Sequence, residues 1–110
     1  YNKPIDKTVL HIGGFMKYSI KNFDDKVQNI YESDNQIVTH LNIKAGQEIG
    51  RHHSPMAVIV VIYEGEIIFT EEDKDFTIKP GDIIKLNPNV DHSLKAIKDS
   101  KLMVIKSDLK

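Results

Sequence analysis

Histidine carries whatever metal or proton chemistry this chain can perform. Its 110 residues include five histidines and no cysteine or tryptophan. Thiol nucleophiles, disulfides, iron–sulfur clusters and thiolate zinc sites are therefore excluded, leaving imidazole and carboxylate as metal donors. The densest group of candidates is Gly46-Gln47-Glu48-Ile49-Gly50-Arg51-His52-His53-Ser54-Pro55, followed by the apolar run Val58 to Tyr63 and by Glu64-Gly65. A second block opens at Gly81-Asp82 and reaches His92 after Asn87-Pro88-Asn89. In an extended strand, residues of one parity share a face. His52, Ser54, Val58, Val60 and Ile62 then point one way, while His92 points with Leu94 and Ala96. These apolar companions turn both histidines toward the interior. His53 faces away unless Ser54-Pro55 twists the backbone first.

Two inward imidazoles allow three kinds of chemistry. They can ligate a metal, exchange protons near neutrality with an ordinary pKa of about 6.5, or serve as polar lining of a pocket. Arg51 is the one arginine beside 14 lysines. Its planar fork could recognise a carboxylate or phosphate at the pocket mouth; the plainer reading is a surface charge on a loop. Met56 follows the His-Ser-Pro segment and is placed at the pocket entrance, whereas Met16 and Met103 read as packing residues. Along Gln36 to Lys44 the apolar parity is Ile37, Thr39, Leu41, Ile43, which leaves His40 on the opposite face, toward solvent or an interface. His11 sits in an N-terminal apolar run with no chemical partner in view.

The spacing of these residues resembles the cupin superfamily. Its first motif runs Gly, five residues, His-x-His, three or four residues, Glu, six residues, Gly; its second runs Gly, five residues, Pro-x-Gly, two residues, His, three residues, Asn. Gly46, His52, Gly65, Gly81 and His92 are in register with that pattern. Ser54 stands in place of the second histidine, Val58 of the glutamate, Asn87 and Asn89 of the proline and glycine, and Ala96 of the asparagine. The chain is most similar to small stand-alone bacterial cupins in which Ser-Pro follows the first histidine, and the likeness spans about residues 36 to 106. The resemblance implies an all-β jelly-roll barrel with a pocket in its mouth, lined by His52, Ser54, Val58, His92, Arg51 and Met56. It does not fix an activity, because cupins include dioxygenases, isomerases, decarboxylases, storage proteins and ligand-sensing domains.

The candidate metal ligands are His52 and His92, with His53 as an outside candidate. A catalytic zinc takes three protein ligands, and non-haem iron takes two histidines and a carboxylate. Val58 cannot ligate, a serine hydroxyl at Ser54 is a weak donor, and Asp91 next to His92 points oppositely in an extended segment. The cofactor expectation is therefore none, or a divalent zinc, iron, manganese or nickel ion. Three readings stand side by side: a small-molecule-binding module without turnover; a metal-dependent enzyme with a reduced ligand set completed by water or substrate; and a dimerising regulatory domain. No catalytic residue can be named from the sequence.

The elements that must position these groups are strands. Short runs rich in Ile, Val, Thr, Phe and Tyr, separated by Gly, Pro, Asn and Asp, predict strands near 18–23, 36–44, 57–63, 66–70, 76–78, 83–86, 92–97 and 102–106. Glu64-Gly65 and Lys79-Pro80-Gly81-Asp82 are turn signals, and Glu71 to Asp75 reads as a solvated hairpin loop. Val58 to Tyr63 and Leu102 to Ile105 are apolar at both parities, so both faces of these strands need cover. The N-terminal segment or a second subunit would supply it, and a homodimer is the expectation. The whole chain reads as one domain, 1–110, with a core over 36–106 and unassigned strand pairing in 1–35. Fifteen basic residues against 16 acidic give a net charge of −1, which provides no field for nucleic acid. No apolar stretch approaches the roughly 20 residues of a membrane helix, and a soluble, cytoplasmic protein binding a small molecule is expected.

Overall fold

The computed structural model describes residues 9–12 and 14–109. Eleven strands make up almost all of the regular structure: β1 (Val9–Ile12), β2 (Phe15–Tyr18), β3 (Val27–Glu32), β4 (Gln36–Ile43), β5 (Glu48–His52), β6 (Ala57–Glu64), β7 (Ile67–Glu71), β8 (Lys74–Ile78), β9 (Ile83–Leu86), β10 (His92–Ala96) and β11 (Ser100–Ser107). They form a five-stranded sheet in the order β3-β4-β11-β6-β9, a four-stranded sheet in the order β5-β10-β7-β8, and a separate β1-β2 hairpin. Every pairing is antiparallel. The two larger sheets form a jelly-roll barrel. Among the described residues no helix is long and apolar enough to cross a membrane.

The period-two pattern explains why the sheets close on each other. Leu41, Ile43, Val58, Val60, Ile62, Leu86 and Leu102 from the five-stranded sheet meet Ile67, Phe69, Ile78, Leu94 and Ala96 from the four-stranded one in a single buried cluster. Burying one such side chain contributes roughly 1.5–3 kcal/mol, so these alternating residues fix which face of each strand turns inward.

The turns follow from their residues. Asp82 N–H bonds the Lys79 carbonyl at 2.9 Å, with Pro80 presetting φ and Gly81 at φ +104°. That is the type II geometry expected of this tetrapeptide. Gly65, at φ +92°, serves more than its turn: a Cβ there would run into the Asp99 carbonyl and into Ser100. The charged stretch is the tip of the β7-β8 hairpin, with Glu72 at φ +53°.

Residues 18–23, expected to be a strand, are instead the end of β2 followed by a 3₁₀ turn over Ile20–Asn22, closed by Phe23 N–H on the Ile20 carbonyl at 3.0 Å. This turn drops Phe23 onto the outer face of the five-stranded sheet. His40 is there, and it faces neither solvent nor an interface. It is wholly buried, edge-on to Phe23 at 5.8 Å, with Nε2 2.6 Å from the Tyr63 hydroxyl. His40 keeps the outward parity of its strand, and Phe23 and Tyr63 cover this end of the outer face. The rest of that face is less covered: Ile59 is 40% exposed and Ile83 66%, with Val38, Val61, Met103 and Ile105 half-buried beside them. His11 pairs in register with Met16, and its side chain, like Gly13, lies outside the described residues.

Candidate functional site

β5 and β10 run side by side, and their register brings His52 directly opposite His92. A bulge makes this possible. Leu94 pairs with Ile49 and His92 with His52, so β5 spends one residue more than β10 over the same span. An extra residue reverses the face of everything beyond it. Ile49 and His52, three apart and of opposite parity, therefore both face the interior, and Gly50 and Arg51 absorb the irregularity. The imidazole centroids are 4.2 Å apart with planes tilted by 59°. His92 is buried and stacks on Phe69 at 5.8 Å, while His52 is half-buried.

Each ring is held by the chain two residues before it. His52 Nδ1 donates to the Gly50 carbonyl at 2.7 Å, and His92 Nδ1 donates to the Val90 carbonyl at 2.9 Å. A carbonyl only accepts, so in the neutral rings the proton sits on Nδ1 and each Nε2 keeps its lone pair. Burial pushes the His92 pKa below its ordinary value. The Val90 carbonyl opposes that shift, the charge of Lys106 and the charge His52 carries when protonated add to it, and Asp91 opposes it weakly. His92 is consequently a neutral base at pH 7.

Both imidazoles line a cavity of about 180 Å³ between the sheets. Its apolar wall is Val27, Leu41, Ile49, Val60, Leu94 and Val104; its polar groups are the two histidines, Asn29, Thr39 and Lys106. Val27, 53% exposed, marks where the cavity meets solvent. Thr39 Oγ1 donates to Asn29 Oδ1 at 2.8 Å across β3 and β4, which fixes both side chains.

The other residues singled out from the sequence are dispersed around this cavity. Ser54 is buried just beyond β5, where its Oγ accepts the Met56 N–H at 3.1 Å and its carbonyl accepts the Asn89 N–H. Val58 belongs to the apolar core beneath, 2% exposed, and Met56 is half-buried in the turn before β6. None of the three is among the cavity-lining residues. Arg51 points to the outer side of the four-stranded sheet, where Nε lies 3.1 Å from Asp91 and the guanidinium reaches Glu72 at 3.5 Å. His53 Nδ1 joins the same group, 3.2 Å from the other Asp91 oxygen. The hydrogen bond from Arg51 holds the Asp91 carboxyl below the usual carboxylate range. Asn29, Thr39 and Lys106 were not singled out from the sequence as site residues. Thr39 could have been, because it shares the inward parity of Leu41 and Ile43, and Lys106 likewise follows Leu102 and Val104.

A family model described as a cupin domain matches residues 39–106. The chain belongs to the cupin family. No curated protein matches it in sequence. Among solved structures, this cupin is similar to an RmlC-like cupin protein from Desulfovibrio desulfuricans, at 25% identity over 74% of this chain and 79% of that one with a TM-score of 0.69. A conserved Streptococcus pyogenes protein of unknown function aligns at 23% identity over 76% and 74% of the two chains, with a TM-score of 0.71. KdgF from Halomonas sp. aligns at 14% identity over 81% and 86%, with a TM-score of 0.69. The last two likenesses establish the fold alone.

Cupins as a family raise the question of a divalent metal, and the donor set answers it poorly. Among the described residues there is no group of three His, Cys, Asp or Glu side chains able to hold a metal ion. His52 and His92 offer two lone pairs, but Asp91 is turned outward into its pairs with Arg51 and His53, and Glu48 is exposed. Ser54 Oγ is engaged with backbone and Val58 is apolar. Two imidazoles fall short of the three protein ligands of a catalytic zinc site or the two-histidine-one-carboxylate set of non-haem iron.

Proposed function

We propose that this cupin is a small-molecule-binding protein whose ligand occupies the cavity between the sheets, with His52 and His92 as its polar contacts. The observation that carries the reading is the combination of a largely apolar cavity with two facing imidazoles, each fixed in the same tautomer by a backbone carbonyl. An apolar enclosure with a few oriented polar groups is the usual form of a small-ligand site. In the tautomer those carbonyls set, the Nε2 atoms keep a lone pair and accept hydrogen bonds from ligand hydroxyl or amide groups. A protein-observed NMR screen of small polar fragments tests the reading. Binders are expected to shift Leu41, Val60, Leu94 and Val104, and Val104→Phe, which fills the cavity, is expected to abolish those shifts. Fragments that bind equally to Val104→Phe would overturn it.

A second reading rests on the histidines alone. Donation from Nδ1 to a carbonyl is also how proteins orient metal-ligating imidazoles, so His52 and His92 could hold a zinc, iron, manganese or nickel ion completed by water or substrate oxygens, in an enzyme of dioxygenase, isomerase or decarboxylase type. Stoichiometric metal in untagged protein that disappears in both His52→Ala and His92→Ala would favour this reading over the first.

We also infer a homodimer through the outer face of the five-stranded sheet. Val38, Ile59, Val61, Ile83, Met103 and Ile105 lie on that face across four adjacent strands, and a two-fold axis would set each patch against its copy. Regulatory use of the fold would pass through the same face.

A further inference from the structure

Lys106 is the anomaly of the cavity. It stands on the inward parity of β11 after Leu102 and Val104, it is half-buried, and it lines the cavity among apolar side chains. Several other lysines have partners: on the outward parity of the same strand Lys101 reaches Glu64 at 3.9 Å, on β9 Lys85 donates to Asn87, and outside the strands Lys98 reaches Glu66 at 3.9 Å and Lys26 donates to the Glu48 carbonyl. Lys106 makes no ion pair or hydrogen bond among the described residues, and no acidic side chain lines the cavity. A lysine set in a largely apolar lining with no carboxylate beside it leaves its charge open to an anionic ligand. The cavity supplies the cation and withholds the anion.

Resting on the small-molecule reading above, we propose that the ligand of this cupin is a small carboxylate, its anionic head paired with Lys106 and its apolar body against Leu41, Val60, Leu94 and Val104. A cavity of about 180 Å³ has room for the body of a metabolite-sized ligand, with the solvent mouth beside Val27 open to the remainder. The imidazoles refine the class: in the tautomer set by the Gly50 and Val90 carbonyls their Nε2 atoms accept but do not donate, so a hydroxyl or N–H on the carboxylate's own skeleton would be recognised beside the head group. A positively charged ligand would place like charges together next to Lys106.

A matched series of one carbon skeleton tests the proposal: 3-methylbutanoate, 3-methylbutanamide and 3-methylbutylamine, titrated by protein-observed NMR into the wild type, Lys106→Met and Lys106→Arg. The carboxylate is expected to bind at least about tenfold more tightly than the amide, the increment of one charge-assisted hydrogen bond. Lys106→Met should bring it down to the amide's affinity without moving the amide, and Lys106→Arg should restore most of the difference. The amine should bind most weakly. An amide equal to the carboxylate, or a carboxylate indifferent to Lys106→Met, would overturn the charge assignment and leave the cavity as a binding site. Failure of every member of the series to shift a cavity resonance would count against the binding reading itself. Retained amide dispersion in both variants separates loss of binding from loss of fold.

Discussion

The buried pair of His40 and Tyr63 gives a prediction whose size follows from burial. His40 is wholly buried, its Nε2 meets the Tyr63 hydroxyl at 2.6 Å, and its Nδ1 has no partner among the described residues. Tyr63→Phe leaves both ring nitrogens unsatisfied. Stranding one buried polar atom costs about 1–3 kcal/mol, and ~2 kcal/mol in a domain of this size lowers Tm by roughly 8–16 °C. His40→Leu acts differently, because the hydroxyl it strands belongs to a ring 39% exposed and can turn to water; its cost should stay below about 1 kcal/mol. Removing both partners together leaves nothing stranded. The double variant His40→Leu/Tyr63→Phe should therefore be more stable than Tyr63→Phe alone, with a coupling of about 1–2 kcal/mol. Urea unfolding followed by far-UV circular dichroism, with the four proteins in one cycle, measures this. If Tyr63→Phe costs as much in the His40→Leu background as in the wild type, the pair carries no energy and the reasoning fails.

Other expectations follow from the same geometry. Burial lowers the pKa of His40, with Lys101 adding to the shift, and burial lowers that of His92. The unfolded chain then binds more protons than the folded one below the ordinary histidine value. Stability should be fully present above about pH 6.5 and fall as the pH drops through the depressed folded values. A Tm that stays level or rises from pH 7.5 to 5.5 would contradict this, and the slope should shrink in the His40→Leu/Tyr63→Phe protein. Gly65→Ala places a methyl against the Asp99 carbonyl and Ser100 at φ +92°, and it should cost more than ~3 kcal/mol, where Gly81→Ala, at φ +104° in open space, should cost only ~1 kcal/mol of backbone strain; equal Tm losses would refute the close-approach argument. Ile59→Lys, on the open outer face, should halve the mass measured by light scattering if copies associate there, and an unchanged dimer would move the interface elsewhere.

Much of this was legible in the sequence, and the gaps have physical causes. β6 and β7 announce themselves because Val58, Val60, Ile62 and Ile67, Phe69 are apolar at every second position and Gly65 marks the turn between them, and β10 and β11 show the same alternation through Leu94 and Ala96 and through Leu102 and Val104. β5 is hidden: Glu48-Ile49-Gly50-Arg51-His52 holds one aliphatic residue, and its bulge shifts the parity that a reader would count. β3 is obscured in the same way, since Asn29 pairs with Thr39 but Tyr31 with Val38, leaving Ile30 as the extra residue. The inward placement of His52 and His92 could be read from their neighbours. The rest of the cavity could not be read as easily, because Val27 and Asn29 reach it from a strand with broken alternation and Lys106 carries a charge that reads as surface. Arg51 shows the converse, since its position beside His52 suggested the pocket mouth, while the bulge turns it outward to Asp91.

The most direct test of the account is the long-range ¹H–¹⁵N NMR spectrum of the imidazoles, free and with a fragment bound. At pH 7.5 His92 should appear as a neutral ring protonated at Nδ1, the His52 Nδ1 should likewise carry a proton, and binding should move both Nε2 signals while those of His40 and His53 stay in place. Rings protonated at Nε2, or a bound fragment that leaves both Nε2 signals unmoved, would contradict the claim that this pair of histidines forms the polar wall of a ligand site.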